Sequence, residues 1–209
     1  LNSGGATQES SVGGKARGLA HMTGLGLAVP PFFVVTADAL SRHFDDNCRA
    51  HERRLQGAFA AGDDTGLEQH GMALQQAVRD LPLQPAFEEE LHQAVIDLDV
   101  DTGSLFAVRS SAIGEDSSAA SFAGQHISVL YVAIADLPAA IKEVWSSAYA
   151  VSALRYRAQK NLVLDDIRIA VVVQEMIDAD VAGVLFTADP QSGHRETSVV
   201  TAAYGCGEG

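Results

Sequence analysis

Residues 105–125, Leu-Phe-Ala-Val-Arg-Ser-Ser-Ala-Ile-Gly-Glu-Asp-Ser-Ser-Ala-Ala-Ser-Phe-Ala-Gly-Gln, constrain this chain more than any other stretch. Leu105 to Val108 reads as a short apolar strand that delivers Arg109 into a loop of small, hydroxylated and glycine residues. Such a loop can lay its backbone N–H groups against an anion with no bulky side chain in the way. The arginine adds a permanently charged planar fork suited to phosphate oxygens. Neither feature is specific alone, because small-residue loops are common and most arginines are solvated.

A second string lies near the start. Gly13-Gly14 reads as a turn, and Lys15 opens a helix with Leu19 and Met22 on one face. Gly24 and Gly26 end that helix, and Pro30-Pro31 precede an apolar strand, Phe32 to Val35. The helix dipole disfavours a lysine at an N-terminus unless an anion binds there too. The alternative is a surface lysine, tolerated at a cost of about half a kcal/mol.

In a third string, residues 168–189, two β-rich runs flank Asp178-Ala179-Asp180, which reads as a hairpin between buried strands. Gln174, Glu175 and Met176 end the first run. Neighbouring side chains on a strand face opposite ways, so Gln174 and Glu175 cannot serve one ligand through both side chains. For Gln174 by itself a plain core strand is the competing reading. Residues 197–209 read as a further strand and a glycine-rich turn.

Taken together these strings resemble the nucleotide-binding domain shared by phosphoenolpyruvate synthase, pyruvate phosphate dikinase and rifampin phosphotransferase. The likeness rests on Val108 to Ala112, Glu115-Asp116, Ser121 to Gln125, Gly13-Gly14-Lys15, Leu25 to Pro31, and Tyr204-Gly205-x-Gly207-Glu208. It implies an α+β, ATP-grasp-like domain with an interposed helical segment, incomplete at its C-terminal end. It assigns Lys15 and Arg109 to the nucleotide phosphates, as catalytic and binding cations. Gly124 and Ser128 are placed near phosphates and ribose. The Glu175 to Met176 backbone is placed on the adenine edge, with the Gln174 side chain against the nucleotide. ATP and Mg²⁺ are the implied cofactors, with the metal ligands expected beyond residue 209 and none assigned within the chain. Glu115 and Asp116 stay open between metal ligation and capping within the loop.

The family reaction phosphorylates a histidine on a swivelling domain, giving AMP and phosphate, and then passes the phosphoryl group to pyruvate. Phosphohistidine and pyruvate-binding domains of the same full-length chain are therefore expected partners. An ATP-binding domain of a rifampin phosphotransferase-like enzyme and a catalytically silent nucleotide-binding module are the alternatives. Phe32, Ile113 and Cys206 depart from the family's usual glycine, threonine and leucine. Ile113 matters most, since it removes a hydroxyl beside the phosphates.

Composition narrows the partners. A net charge of −13 over 209 residues argues against nucleic acid or an anionic membrane, and it makes any local gathering of cations informative. No apolar stretch approaches a membrane span, and residues 1–12 do not read as a signal peptide. Cys48 and Cys206 share no metal-like spacing and read as free thiols of a reducing compartment, so a cytoplasmic protein is expected. The seven histidines are scattered, with none in a recognisable phosphohistidine motif.

The expected organisation is a flexible N-terminus (1–12), an N-terminal lobe (13–167) with a helical insert at about 37–103, and the start of a second lobe (168–209). In the insert Leu67, Leu74, Val78 and Leu81 share one helical face; Phe87, Leu91, Val95 and Leu98 share another. Gly57 to Gly66 reads as a loop between helices. Residues 138–160 read as one long helix, and strands at 168–177, 181–188 and 197–203 as an antiparallel meander. The whole spells α+β rather than repeated βαβ.

Overall fold

The structure, a computed structural model, describes residues 9–113, 127–160, 162, 164 and 167–207, with side chains from residue 11 onward. The chain divides into two compact units, Leu1–Glu175 and Met176–Gly209. The expected α+β class holds: the first unit packs helices on a four-stranded sheet, and the second is built on a two-stranded one.

In chain order the first unit contains α1 (Glu9–Gly24), β1 (Phe32–Val35), α2 (Asp38–His43), α3 (Asp46–Ala61), α4 (Asp64–Asp80) and α5 (Pro85–Asp97). There follow β2 (Phe106–Ala112), β3 (Ser128–Val132), a 3₁₀ turn (Ile134–Asp136), α6 (Leu137–Ser147), α7 (Val151–Gln159) and β4 (Ile169–Glu175). The sheet order is β1-β4-β2-β3, antiparallel throughout.

β4 was expected to form a hairpin with the next strand and to open a second lobe. Instead it is one of the two inner strands of the first unit's sheet, paired with β1 on one edge and β2 on the other. The physical reason lies in its run Ile-Ala-Val-Val-Val-Gln, buried from Ile169 to Gln174. A strand apolar on both faces suits the middle of a covered sheet, not a hairpin edge.

The two faces of this sheet bury different cores. Phe33, Val35, Phe106, Val108, Ile169, Val171 and Val173 point into the larger one, which the helical segment completes with residues such as Leu55, Leu74 and Leu91, and α6 with Trp145. The opposite face carries a small cluster in which Val12 and Ala16 of α1 meet Val34, Ala170 and Val172. Alternation along each strand thus sends one set of side chains to the helical core and the other to α1.

Two helix boundaries differ from expectation. Gly57 lies inside α3, and the link to α4 shrinks to Gly62 and Asp63. Gly62 ends α3 in the left-handed conformation while the Asp63 side chain accepts the Gly66 N–H at 3.0 Å, so two residues serve both helix ends. Residues 138–160 form two helices rather than one, broken at Ala148–Ala150. There the hydroxyls of Ser146 and Ser147 donate to the carbonyls of Glu143 and Val144 at 2.8 and 2.7 Å. That is the competition by which serines unsettle helix interiors.

In the second unit β5 (Val181–Phe186) pairs with β6 (Val199–Tyr204), from Val181 opposite Tyr204 to Phe186 opposite Val199. Their connection is closed by Asp189, whose carboxylate accepts from the Gln191 N–H at 2.8 Å and from the Ser192 hydroxyl at 2.6 Å. No helix among the described residues is long and apolar enough to cross a membrane.

Candidate functional site

The register of the first sheet assembles the site. Arg109 on β2 lies directly opposite Ser128 on β3 and Val172 on β4, and Val172 lies opposite Val34 on β1. Residues in such a cross-strand row share one face, with neighbouring Cβ atoms about 5 Å apart. The row Ser128–Arg109–Val172–Val34 therefore faces α1. Two residues further along β4, and so on the same face, comes Gln174, opposite Ala107 and Phe32. Glu175 falls on the other face.

Helix α1 crosses this row. Its first turn is interrupted at Gly13, whose backbone (φ 74°, ψ 174°) is not helical, and Lys15 lies two residues beyond. Lys15, Gly18, Leu19 and Met22 of α1 enclose a pocket of about 150 Å³ with Arg109 and Val172 of the sheet. Val172 forms an apolar floor, Leu19 and Met22 an apolar wall, and the two cations supply the polar surface. No carboxylate is among these lining residues. The Arg109 Nε is buried and, among the described residues, has no hydrogen-bond partner. A guanidinium N–H held away from water without an acceptor is costly unless a ligand supplies one.

The other expected site residues are placed as follows. Ser128 is exposed beside Arg109. Gln174 is 8% exposed, and its Nε2 donates to the Pro30 carbonyl at 3.2 Å. The Glu175 N–H donates to the Pro31 carbonyl at 2.9 Å, and its carboxylate accepts from the Ser104 hydroxyl at 2.7 Å. The Pro30-Pro31 turn is thus stitched to the end of β4 through both residues. Met176 begins the second unit. Gly124, Glu115 and Asp116 lie outside the described residues. Among the described residues no group of three His, Cys, Asp or Glu side chains comes together to hold a metal.

Two members of this neighbourhood make a contact that the sequence reading did not assign to them. Ser111, wholly buried, accepts the Ala16 N–H on its Oγ at 3.3 Å. Gly13 meets the Ser111 backbone so closely that any side chain at residue 13 would overlap it. The signal was present: Ser111 stands two residues beyond Arg109, hence on its face, and Gly13 precedes Lys15 by two.

An α+β sheet whose helix-covered face gathers an arginine and a lysine over an apolar floor, in a protein of net charge −13, has the chemistry that suits an anionic ligand. The chain belongs to the pyruvate phosphate dikinase AMP/ATP-binding domain family, whose model matches residues 9–209. It is 35% identical to phosphoenolpyruvate synthase of Escherichia coli over 98% of this chain and 27% of that protein. It is 36% identical to the prodigiosin synthesizing transferase PigC of Serratia marcescens, over 95% of this chain and 20% of that one. Against phosphoenolpyruvate synthase of Pyrococcus furiosus the identity is 30%, over 94% and 29%. The chain thus spans less than a third of the length of these relatives.

Proposed function

We propose that the pocket between α1 and the sheet holds the phosphates of ATP, and that the chain is the ATP-grasp-like nucleotide-binding part of a phosphotransferase. The observation that carries this reading is the buried Arg109 Nε, without a hydrogen-bond partner among the described residues, beside Lys15 in a pocket with no carboxylate among its lining residues. Phosphoryl transfer asks a protein chiefly to hold the phosphates in line and neutralise their charge. Arg109 supplies a fork that pairs with two phosphate oxygens and Lys15 a mobile point charge. The Ser128 hydroxyl, next in the row, is placed to bond a neighbouring oxygen. The base extends along the same face toward Gln174. Its edge meets the end of β4, where the Glu175 N–H is already committed to Pro31. Gly124 completes the contacts to the phosphates, and a bound Mg²⁺ would neutralise further phosphate charge.

In the complete reaction ATP and water yield AMP and phosphate while one phosphoryl group passes through a histidine of a swivelling domain to pyruvate, giving phosphoenolpyruvate. The protein works in the cytoplasm, where Cys48 and Cys206 stay reduced; neither is in a disulfide. One observation favours a second acceptor. The chain is about as similar to a prodigiosin synthesizing transferase as to the synthases, which supports an acceptor other than pyruvate, rifampin included, as the second reading. A silent binding module has no use for both cations and is the weaker reading.

The test is Lys15→Ala and Arg109→Ala in the full-length protein, with AMP release and melting temperature measured on each. Loss of one preorganised cation costs roughly a hundredfold in rate. Near-wild-type AMP release by either variant would return that residue to an ordinary surface cation.

A further inference from the structure

We infer that Ser111 is a positioning residue for this site: through α1 it fixes where Lys15 stands relative to Arg109. The inference rests on the phosphate-binding reading of the pocket.

Ser111 touches the helix on both sides of Lys15. Its Oγ accepts the N–H of Ala16, the residue after Lys15, at 3.3 Å. Two residues before Lys15, Gly13 packs on the Ser111 backbone, and a Cβ built there would come within 2.6 Å of the Ser111 Oγ and 2.7 Å of its carbonyl carbon. Ser111 and Ala16 are both 0% exposed. Ser111 is itself held by its strand, paired with Ala170 one residue before the end of the β2–β4 ladder. The same short strand segment therefore carries Arg109 into the pocket and clamps the turn that carries Lys15 there.

The hydroxyl is not needed for packing. The cluster around it, Val12, Ala16, Val34, Ala170 and Val172, is wholly apolar and would accept an alanine. What the hydroxyl supplies is direction. It is an acceptor for one of the N–H groups that the first turn of a helix leaves without an intrahelical partner. Without it the turn after Gly13 can rotate, and Lys15 swings with it.

The experiment uses the full-length protein and calorimetric titration with ATP and with adenosine, which lacks phosphates. For Ser111→Ala the expected result is about a tenfold loss of ATP affinity, the size of one buried hydrogen bond left unmade, with adenosine affinity unchanged. In a Lys15→Gln background the same substitution should cost less than about twofold, because the residue acts through Lys15. Ser111→Cys, close in size with a weaker acceptor, should fall between, and it carries the comparison if the alanine variant does not fold. Equal losses for ATP and adenosine, undiminished loss in the Lys15→Gln background, or no loss at all would overturn the inference while leaving the pocket's role intact. A wild-type protein that binds adenosine and ATP equally would overturn the phosphate reading, and this inference with it.

Discussion

Replacing Gly13 by alanine adds one methyl group and should cost as much stability as truncating a large buried side chain to alanine. The backbone there (φ 74°, ψ 174°) lies in a region essentially reserved for glycine, which costs of order 1–3 kcal/mol for any other residue. The new Cβ would also overlap the Ser111 carbonyl oxygen and approach its Oγ to 2.6 Å. That neighbour is backbone of a paired strand, so it cannot swing aside, and overpacking of this kind costs a further 1–3 kcal/mol or so. Together the two effects come to about 4 kcal/mol, which for a unit of this size lowers the melting temperature by roughly 8–16 °C. Gly57→Ala is the matched control: the same methyl, on an exposed helical position with nothing within 4 Å. It should stabilise α3 by about 0.5–1 kcal/mol. Urea unfolding of the two variants side by side, followed by circular dichroism, measures both. A Gly13→Ala protein within about 1 kcal/mol of wild type would refute the claim that α1 is locked against β2 by contact at this residue.

Cys48 is wholly buried, and burial, reinforced by the neighbouring Asp45, pushes its thiol up to about 12. It should resist alkylation at pH 8 in the native protein and react only after unfolding, as mass spectrometry of the labelled peptide would show. Arg79 forms two bonds to Glu143, at 2.6 and 3.0 Å, tying α4 to α6 and holding the Glu143 carboxyl below its ordinary value. A carboxylate depressed in the folded state adds stability above its unfolded pKa, and loses it as pH falls through the folded one. Both side chains are more than a third exposed, so the pair contributes only about 0.2–1 kcal/mol at neutral pH. Glu143→Gln should remove that amount at pH 7 and almost none in the most acidic range where the fold survives, measured as urea midpoints against pH.

Much of the site could be read from the residues because its parts obey local rules. Arg109 stands at the end of an apolar run, Lys15 follows a glycine pair, and Gln174 and Glu175 alternate along a strand. The helical segment was equally legible from its periodicity, with Leu74, Val78 and Leu91 buried as that pattern requires. Pairing was not legible, because nothing local to Val171–Val173 says that its partners are Val34 and Val108, far back in the chain. The row Ser128–Arg109–Val172 that makes the pocket depends on that pairing. The Ser111 contact went unnoticed for a related reason: a serine in a serine-rich string carries no mark that its hydroxyl caps a distant helix.

The placement of β4 between β1 and β2 also dictates an order of events at the ribosome. α3, α4 and α5 are contiguous and can form as they are made, and β2 can meet β3 after a short loop. β1 has no such neighbour. Its four residues, of which Phe33, Val34 and Val35 are fully buried in the finished sheet, must wait for a strand about 130 residues downstream. At ordinary synthesis rates that is a delay of roughly 7–30 seconds. During it Phe-Phe-Val-Val stays an unpaired, strongly β-prone apolar tetrapeptide, the kind of segment that pairs with the wrong strand or a second nascent chain. The two prolines just before it, Pro30 and Pro31, lack the N–H groups through which such a misplaced ladder would spread upstream. Closure of the sheet by β4 then comes late and all at once: it completes the floor under α1, and the pocket between α1 and the sheet does not exist until the last strand of the first unit has been synthesised.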